Sequence, residues 1–509
     1  MPGRQVRLFA MNANEELIRE RRFIWLVCVV AAIHVFIFSA AFPFFNNVDE
    51  AFHFDLVLKY SHGDVPRRIE SISADSAAFL ALMNCHAYFG TPDQYPGGVF
   101  PPPAWTLPAD QSAQDIAARS ANWQTQENYE VSQAPLYYTL AGIWWHIGGW
   151  IGFHDGRLVY WLRFLNIGLV SALVWLAYIT ARLVFPVNSF ARMAVPALLA
   201  FMPQTAFYSL GNDVLSAVCF GTTFLFLLKW LASETSSSKT GAAMGLAFAA
   251  TFLAKVNNVP LLAIAAAVVL LKAIHDARLG KFQATLPAIA TFLGCAVPAI
   301  VLWMTLCKLN FGDCTGSTLK TQYLGWTIKP FSQWWHHPIF TPPGFWIYLS
   351  RQLGTLWQGE FLWHHQPLEL HGSDFIYSVL SLALIASALP LMSPHRSNVP
   401  AMARWAVGAG FACFAAELGF FVLISIMYDF HNSPAPSRSY PYFTAGRLLL
   451  GAVIPFLLLL ASGMDRLLMG LGTRGKFLTL AACIGIMLAV EVASDWPALF
   501  NEYNWFHLP

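Results

Sequence analysis

Apolar and polar positions along this chain separate on the scale of tens of residues. Long apolar runs approach or exceed the roughly 18 residues that cross a bilayer as a helix, and polar stretches divide them. The pattern predicts eleven spans, at 23–42, 158–181, 193–210, 214–231, 241–254, 259–271, 286–306, 375–392, 405–427, 448–462 and 477–492. Two further apolar stretches, 134–153 and 345–363, are rich in Trp, Tyr and His, and the second carries Arg351 and Glu360. Loop charge decides their placement. With both lying flat in the interface as aromatic-anchored helices, the N-terminal arginines, Arg182/Arg192, Lys272/Arg278/Lys281, Arg396/Arg404 and Arg466/Arg474/Lys476 fall on one face. That face is then cytoplasmic, with the N-terminus, and the C-terminus lies outside.

Four regions follow: a cytoplasmic N-terminus (1–22), an N-terminal transmembrane module (23–306) containing an outer loop at 43–157, a second outer loop (307–374), and C-terminal helices with a tail outside (375–509). Ser39-Ala40-Ala41 has the small residues of a signal cleavage site, but 22 residues precede the apolar run, so the first span is expected to stay uncleaved.

Composition agrees. Of 509 residues, 56% are hydrophobic and 11% charged, against about 25% charged in soluble domains. The expected class is an all-α polytopic membrane protein. A formal net charge of +2 with no extended basic run offers no nucleic-acid surface. No internal repeat is visible, so a transporter built from sequence-visible repeats gains no support. The eight cysteines lack metal spacing. Five sit in apolar runs as small hydrophobes, and Cys85, Cys307 and Cys314 leave a disulfide among them open.

Polar residues collect where spans end on the outer face: Asp49, Glu50 and His53 after the first, Asn212-Asp213 before the fourth, Lys255, Asn257 and Asn258 between the fifth and sixth, and Arg438 and Arg447 before the tenth. Charges at such depth are costly and are paired or functional. A carboxylate that serves as base beside cations that grip phosphate suits an anionic, lipid-linked substrate. Each residue also has a plainer use. Asn47 and Glu50 have capping-box spacing; Asp213 suits a helix start; Lys255 suits snorkelling; Arg447 suits an interfacial anchor. The pieces Trp334-Trp335-His336-His337 and Trp363-His364-His365 with His371 read as aromatic belt rather than as metal ligands, because adjacent histidines are poor helical ligand pairs.

In order and spacing, Asp49-Glu50-Ala51-Phe52-His53, Gln133-Ala134-Pro135-Leu136-Tyr137-Tyr138, Asn212-Asp213, Lys255 with Pro260, and Gly446-Arg447 resemble the GT-C superfamily of membrane glycosyltransferases. The similar branch is the bacterial group related to aminoarabinose transferases and protein mannosyltransferases that carries an N-terminal Asp-Glu-x-x-His element. Ala134 and Val48 stand where that group usually has proline. The resemblance implies a GT-C-like bundle in a bacterial inner membrane, with an extracytoplasmic active site under the first outer loop. It implies a polyprenyl-phosphate sugar as donor, a glycan, lipid or protein acceptor, and inversion at the sugar. Asp49 is the implied base with Glu50 beside it, and His53, Tyr137, Asp213, Lys255, Arg438 and Arg447 are the implied substrate contacts. A divalent cation stays open. The rival classes are a transporter or flippase of a lipid-linked or amphipathic substrate, and a scaffold of an envelope-assembly complex.

Overall fold

A computed structural model of the chain describes residues 2–509 except 48, 84–89, 204–206, 235, 371, 394–399 and 434–435, with side chains from residue 18 onward. Cys85, His371, Arg396 and Val48 therefore lie outside the described residues. The described α-helices of seven residues or more, in chain order, are α1 (Pro2–Ala41), α2 (Glu50–Ser61), α3 (Ala74–Met83), α4 (Ala109–Trp123), α5 (Pro135–Trp150), α6 (Asp155–Arg163), α7 (Leu165–Val184), α8 (Ser189–Ala200), α9 (Asp213–Ala232), α10 (Ser238–Ala254), α11 (Val259–Arg278), α12 (Phe282–Phe311), α13 (Ser317–Tyr323), α14 (Pro342–Gln358), α15 (Ser373–Ala388), α16 (Ala401–Met427), α17 (Val453–Leu467) and α18 (Thr473–Leu499). Strand pairing among the described residues is limited to two-residue antiparallel pairs, such as Glu70–Ser71 with Glu127–Asn128.

Nine helical stretches among the described residues are long and apolar enough to cross a membrane: Ile18–Ala41, Asp155–Val184, Asp213–Ala232, Val256–Arg278, Phe282–Phe311, Ser373–Met392, Ala401–Met427, Gly446–Leu467 and Thr473–Leu499. The other two expected spans are shorter as helices. The run 241–254 is α10, of 17 residues. The run 193–210 overlaps only the 12-residue α8, which ends at Ala200, and from Phe207 onward the backbone groups are spent elsewhere. Asn166 Nδ2 donates to the carbonyls of Phe207 and Ser209, at 2.8 Å each. The amides of Leu210 and Gly211 donate to Glu50 Oε1 (2.8 Å) and Tyr137 Oη (3.2 Å). The stretches 134–153 and 345–363 form α5 and α14, of 16 and 17 residues, and neither is among the nine.

Packing follows side-chain size. Gly241 and Gly245, four apart on α10, face α12 so closely that a Cβ on either would strike the backbone of Ala288 or Phe292. Small residues at this spacing let membrane helices touch backbone to backbone. The most enclosed spans are Gly446–Leu467, with 89% of its apolar window buried, and Asp213–Ala232, with 72%. Each begins, at its N-terminal end, with a residue singled out by the sequence: Arg447 on the first and Asp213 on the second.

Candidate active site

The site grows from the eight-residue connection between α1 and α2. Arg163, fully buried at the end of α6, holds that connection. Its guanidinium donates to the carbonyls of Phe42 (2.8 Å) and Pro43 (2.9 Å) and lies 4.0 Å over the Phe44 ring. It also grips Glu50 through Nε to Oε1 and Nη2 to Oε2, at 2.8 Å each. The remaining capacity of Glu50 accepts from the amides of Phe45 (2.9 Å) and Leu210. The capping-box expectation for Asn47 and Glu50 is therefore corrected. The residue before α2 is Asp49, which makes no side-chain cap, and Glu50 is a buried strut between the α1 turn, α6 and the segment before α9. With every lone-pair direction filled by protein donors, its carboxylate has no approach for a substrate atom, so the pairing of Glu50 with Asp49 as catalytic acids finds no geometric basis.

Asp49 has the opposite placement. Its backbone is left-handed (φ 65°), as is that of Phe45 (φ 61°), a costly conformation for non-glycine residues that concentrates at functional sites. Its carboxylate turns away from Glu50. Oδ1 accepts from Tyr129 Oη at 2.5 Å, and Oδ2 from Arg447 Nη2 at 2.8 Å. Tyr129 is delivered by the strand-paired segment before α5. There, buried Asn128 donates to the Phe52 carbonyl (2.9 Å) and to Asp55 (2.8 Å), and accepts from the Glu130 amide.

Arg447 is the hub. Gly446 before it packs against α14 so tightly that a Cβ would collide with the Leu356 backbone, and its amide donates to Thr355 Oγ1 at 2.9 Å. This seats Arg447 beside the end of α14, where Nε meets Glu360 at 3.1 Å, while Nη1 stands 3.9 Å from Asp213. Asp213 in turn binds Lys255. Lys255 is 5% exposed, so it is internally paired rather than snorkelling. Asn212 Nδ2 donates to Gln133 (3.1 Å), Gln133 donates to Glu130 (2.5 Å), and Glu130 binds Lys320 of α13. The segment 307–374 thereby closes against the segment 43–157. His53, one turn into α2, is buried with Nδ1 at 2.7 Å from Tyr138 Oη, and its ring edge lies beside Gly211 and Asp213. Tyr137 accepts from the Gly211 amide, as described above.

The structure thus unites Asp49, His53, Tyr137, Asp213, Lys255 and Arg447 at one end of the bundle. It does not bring in Arg438, which is exposed and binds Asp429 at 2.8 Å. The expectation that Arg438 contacts substrate with the others is corrected: its guanidinium is taken up by a local loop pair. Tyr129, Glu130, Lys320 and Glu360 belong to the network and were not selected from sequence. Tyr129 and Glu130 lie just before the Gln133–Tyr138 element, and Glu360 was visible as an acid in an apolar stretch. Lys320 had no sequence signal, since only tertiary docking brings it in.

Electrostatics follow from this crowding. Burial raises the Asp49 carboxyl, but Lys320 and Arg447, with the Tyr129 hydroxyl, hold it well below the usual carboxylate range. Burial, then the Asp49 and Glu130 carboxylates, push the Tyr129 phenol far above its ordinary value, so it stays a donor. Burial lowers His53 against the pull of nearby acids, which favours neutral imidazole. Burial raises Glu360, with Arg447 opposing. Four carboxylates (Asp49, Glu130, Asp213, Glu360) face three cations (Arg447, Lys255, Lys320), and each cation is bound to at least one acid. Among the described residues no group of three or more His, Cys, Asp or Glu is placed to hold a metal ion. His337, for example, instead accepts from the Ile339 amide at Nδ1 and donates from Nε2 to the Pro441 carbonyl. Cys307 and Cys314 are both free thiols.

A comparison with curated proteins finds no match. Among solved structures the chain is similar to the crystal structure of ArnT from Cupriavidus metallidurans bound to undecaprenyl phosphate, at 13% identity and TM-score 0.42, over 91% of this chain and 63% of that one. It is also similar to the archaeal oligosaccharyltransferase AglB from Archaeoglobus fulgidus in complex with an inhibitory peptide and a dolichol-phosphate, at 12% identity and TM-score 0.41, over 94% of this chain and 55% of that one. The chain thus spans less than two thirds of either protein. A family profile matches most of its length: through residues 33–427, this chain belongs to the predicted membrane proteins of the DUF2142 family.

Proposed function

We propose that the protein is a membrane glycosyltransferase that moves a sugar from a polyprenyl-phosphate donor to a cell-envelope acceptor, a glycan, lipid or protein, with Asp49 as base. The observation that carries this reading is the Asp49 carboxylate, held left-handed between Tyr129 and Arg447 where three cations and four acids meet at span ends. In the resting arrangement Asp49 is a weak base, because Arg447 occupies it. A donor phosphate is the better partner for a guanidinium, able to accept two parallel bonds. As the phosphate takes Arg447, with Lys255 and Lys320 in reach, Asp49 loses its counter-charge and gains basicity.

The acceptor hydroxyl or amine then gives its proton to Asp49 as its lone pair attacks the anomeric carbon. The bond from that carbon to the phosphate oxygen breaks on the opposite side, inverting the centre. The departing phosphate keeps the electron pair and is stabilised by the cations without needing a proton. Neutral His53 and Tyr137 shape the floor. The site faces the extracytoplasmic side of a bacterial inner membrane, with the N-terminus cytoplasmic. Reporter fusions after Ser236 and Ser373 test that orientation, with cytoplasmic and outside readings expected respectively.

The test of function is transfer in membranes from a panel of radiolabelled polyprenyl-phosphate sugars, comparing wild type with Asp49→Asn. Transfer by wild type and its loss in the variant support the reading. Equal transfer by both removes Asp49 as base. The alternative, a transporter or flippase, draws on a different observation: Glu417, Glu491 and Asp495 are buried inside spans. It gains ground if lipid-linked sugar crosses vesicles but is never transferred.

A further inference from the structure

Away from this site, where α14, α15 and α18 meet the segment after α8, a small cavity of about 10 Å³ is lined by Pro203, Gln358, Tyr377, Val490, Glu491, Ser494 and Asp495. That is room for one water-sized species. Glu491 and Asp495 stand one turn apart on α18, 3% and 2% exposed, and so share a face. Glu491 Oε2 meets His34 Nε2 of α1 at 2.9 Å. Asp495 Oδ1 and Tyr377 Oη are buried with no hydrogen-bond partner, and both residues line the cavity. Glu491 lies eight residues before the end of α18 and His34 seven before the end of α1, about 10–12 Å along each helix from that end, within hydrocarbon depth.

An unneutralised carboxylate there is expensive. Glu491 has His34 as its partner, and Asp495 is left over. A water in the cavity would hydrogen-bond but not neutralise. A proton on Asp495 would neutralise but leave the cavity and the Tyr377 oxygen unused. A small hard cation does both, because it takes oxygen ligands and carries one charge.

We propose that this cavity is a sodium-sized monovalent cation site, formed by Asp495 with Tyr377 and Glu491 as the oxygen ligands nearest to hand. Its structural consequence is a clamp between the last span and the first. Seven residues beyond His34, α1 ends at Ala41, whose carbonyl already accepts from Asn501 Nδ2 at 2.8 Å just past α18. The clamp therefore steadies the turn that presents Asp49, though the cation site stands whether or not Asp49 is a catalytic base.

The full-length protein in detergent tests it, at fixed pH and matched ionic strength. Thermal unfolding is followed in sodium, potassium and choline chloride, with equilibrium binding of radioactive sodium alongside. Sodium is expected to raise the melting temperature of wild type by a few degrees over choline, as a ligand of the folded state must, and to bind one per chain. Asp495→Asn and Glu491→Gln are expected to lose both effects. If either variant fails to fold, the wild-type measurements decide alone. Equal melting in all three salts with no retained sodium overturns the proposal and leaves a protonated Asp495 beside an ordered water. Sodium stabilisation that persists unchanged in Asp495→Asn also overturns it, since the ion then binds elsewhere.

Discussion

Asp49 and Glu50 share a peptide bond, yet their carboxylates live in different worlds. Glu50 is 1% exposed and saturated by four donors, among them the bidentate guanidinium of Arg163, which is itself fully buried. Asp49 is partly open, its side chain 14% exposed, and its partners Tyr129 and Arg447 come from loops and a span end that also serve other acids. Successive residues at a helix start point about 100° apart, and the left-handed backbone of Asp49 adds to that divergence. One acid is sealed inside the architecture and the other is presented at its edge. A sealed, satisfied ion pair specifies structure, whereas an exposed and shared one can be exchanged for a ligand.

The sharpest way to break this comparison is to remove a partner from the sealed side. Arg163→Ala leaves Glu50 buried without a counter-charge, and breaking such a pair costs about 3–5 kcal/mol. Reduced folded yield and a lower unfolding midpoint in detergent are expected, with Glu50→Gln lowering stability in the same direction. An Arg163→Ala protein as stable as wild type would put Glu50 back among the exchangeable acids.

Next in size is Asp49→Asn, which keeps shape and hydrogen bonding. Its expected signature is a turnover lower by roughly 10²–10⁴, the range of general acid–base catalysis, with an unfolding midpoint near wild type. Loss of stability matching that of Arg163→Ala would mean that both acids are struts.

Much of this contrast was legible in the chain, but not the division of labour. Spans, the gathering of polar residues at one end, and the choice of Asp49, Asp213, Lys255 and Arg447 followed from apolar length and from charges at span borders. These are local properties, and they survive folding. The fate of Glu50 was not legible, because the spacing from Asn47 permits a cap and only the tertiary position of Arg163 decides otherwise. Lys320 and Glu360 were hidden for a related reason. Each sits in a long loop region where no periodicity constrains its direction, and only folding brings Lys320 to Glu130, before α5, and Glu360 to Arg447, before α17. Arg438 erred the other way. It lies in the same short loop as Arg447, but Gly446 packs on α14 and carries Arg447 inward, while Arg438 stays at the rim.

Tyr129→Phe sharpens the description of the open side with a smaller effect. The phenol donates to the ionised form of Asp49, so its removal lets the Asp49 pKa rise from its depressed position. Activity that needs the carboxylate is lost as pH falls through that pKa. The acid limb of kcat/KM for sugar transfer, which reports the free enzyme, is therefore expected to move to higher pH in the variant. A pH profile superimposable on wild type would mean that Lys320 and Arg447 alone set the charge state of Asp49.

The smallest expected effect belongs to Arg438→Ala, and its smallness is informative. Arg438 is 62% exposed at the side chain and bonds Asp429 within one loop. Exposed pairs of this kind add little to stability, since water serves both ions nearly as well. Arg447 is the same residue type nine positions later, but it is 19% exposed and shared among Asp49, Asp213 and Glu360. If the open site binds phosphate through buried, convergent cations, Arg447→Ala should weaken donor binding, by about 1.5–3 kcal/mol for a charge-assisted contact. Arg438→Ala should leave donor affinity and the unfolding midpoint at wild-type values. Equal weakening by both variants, measured by equilibrium binding of a polyprenyl-phosphate sugar, would show that long-range positive potential over the loops attracts the donor. The exchange of Asp49 for phosphate on Arg447 would then lose its basis.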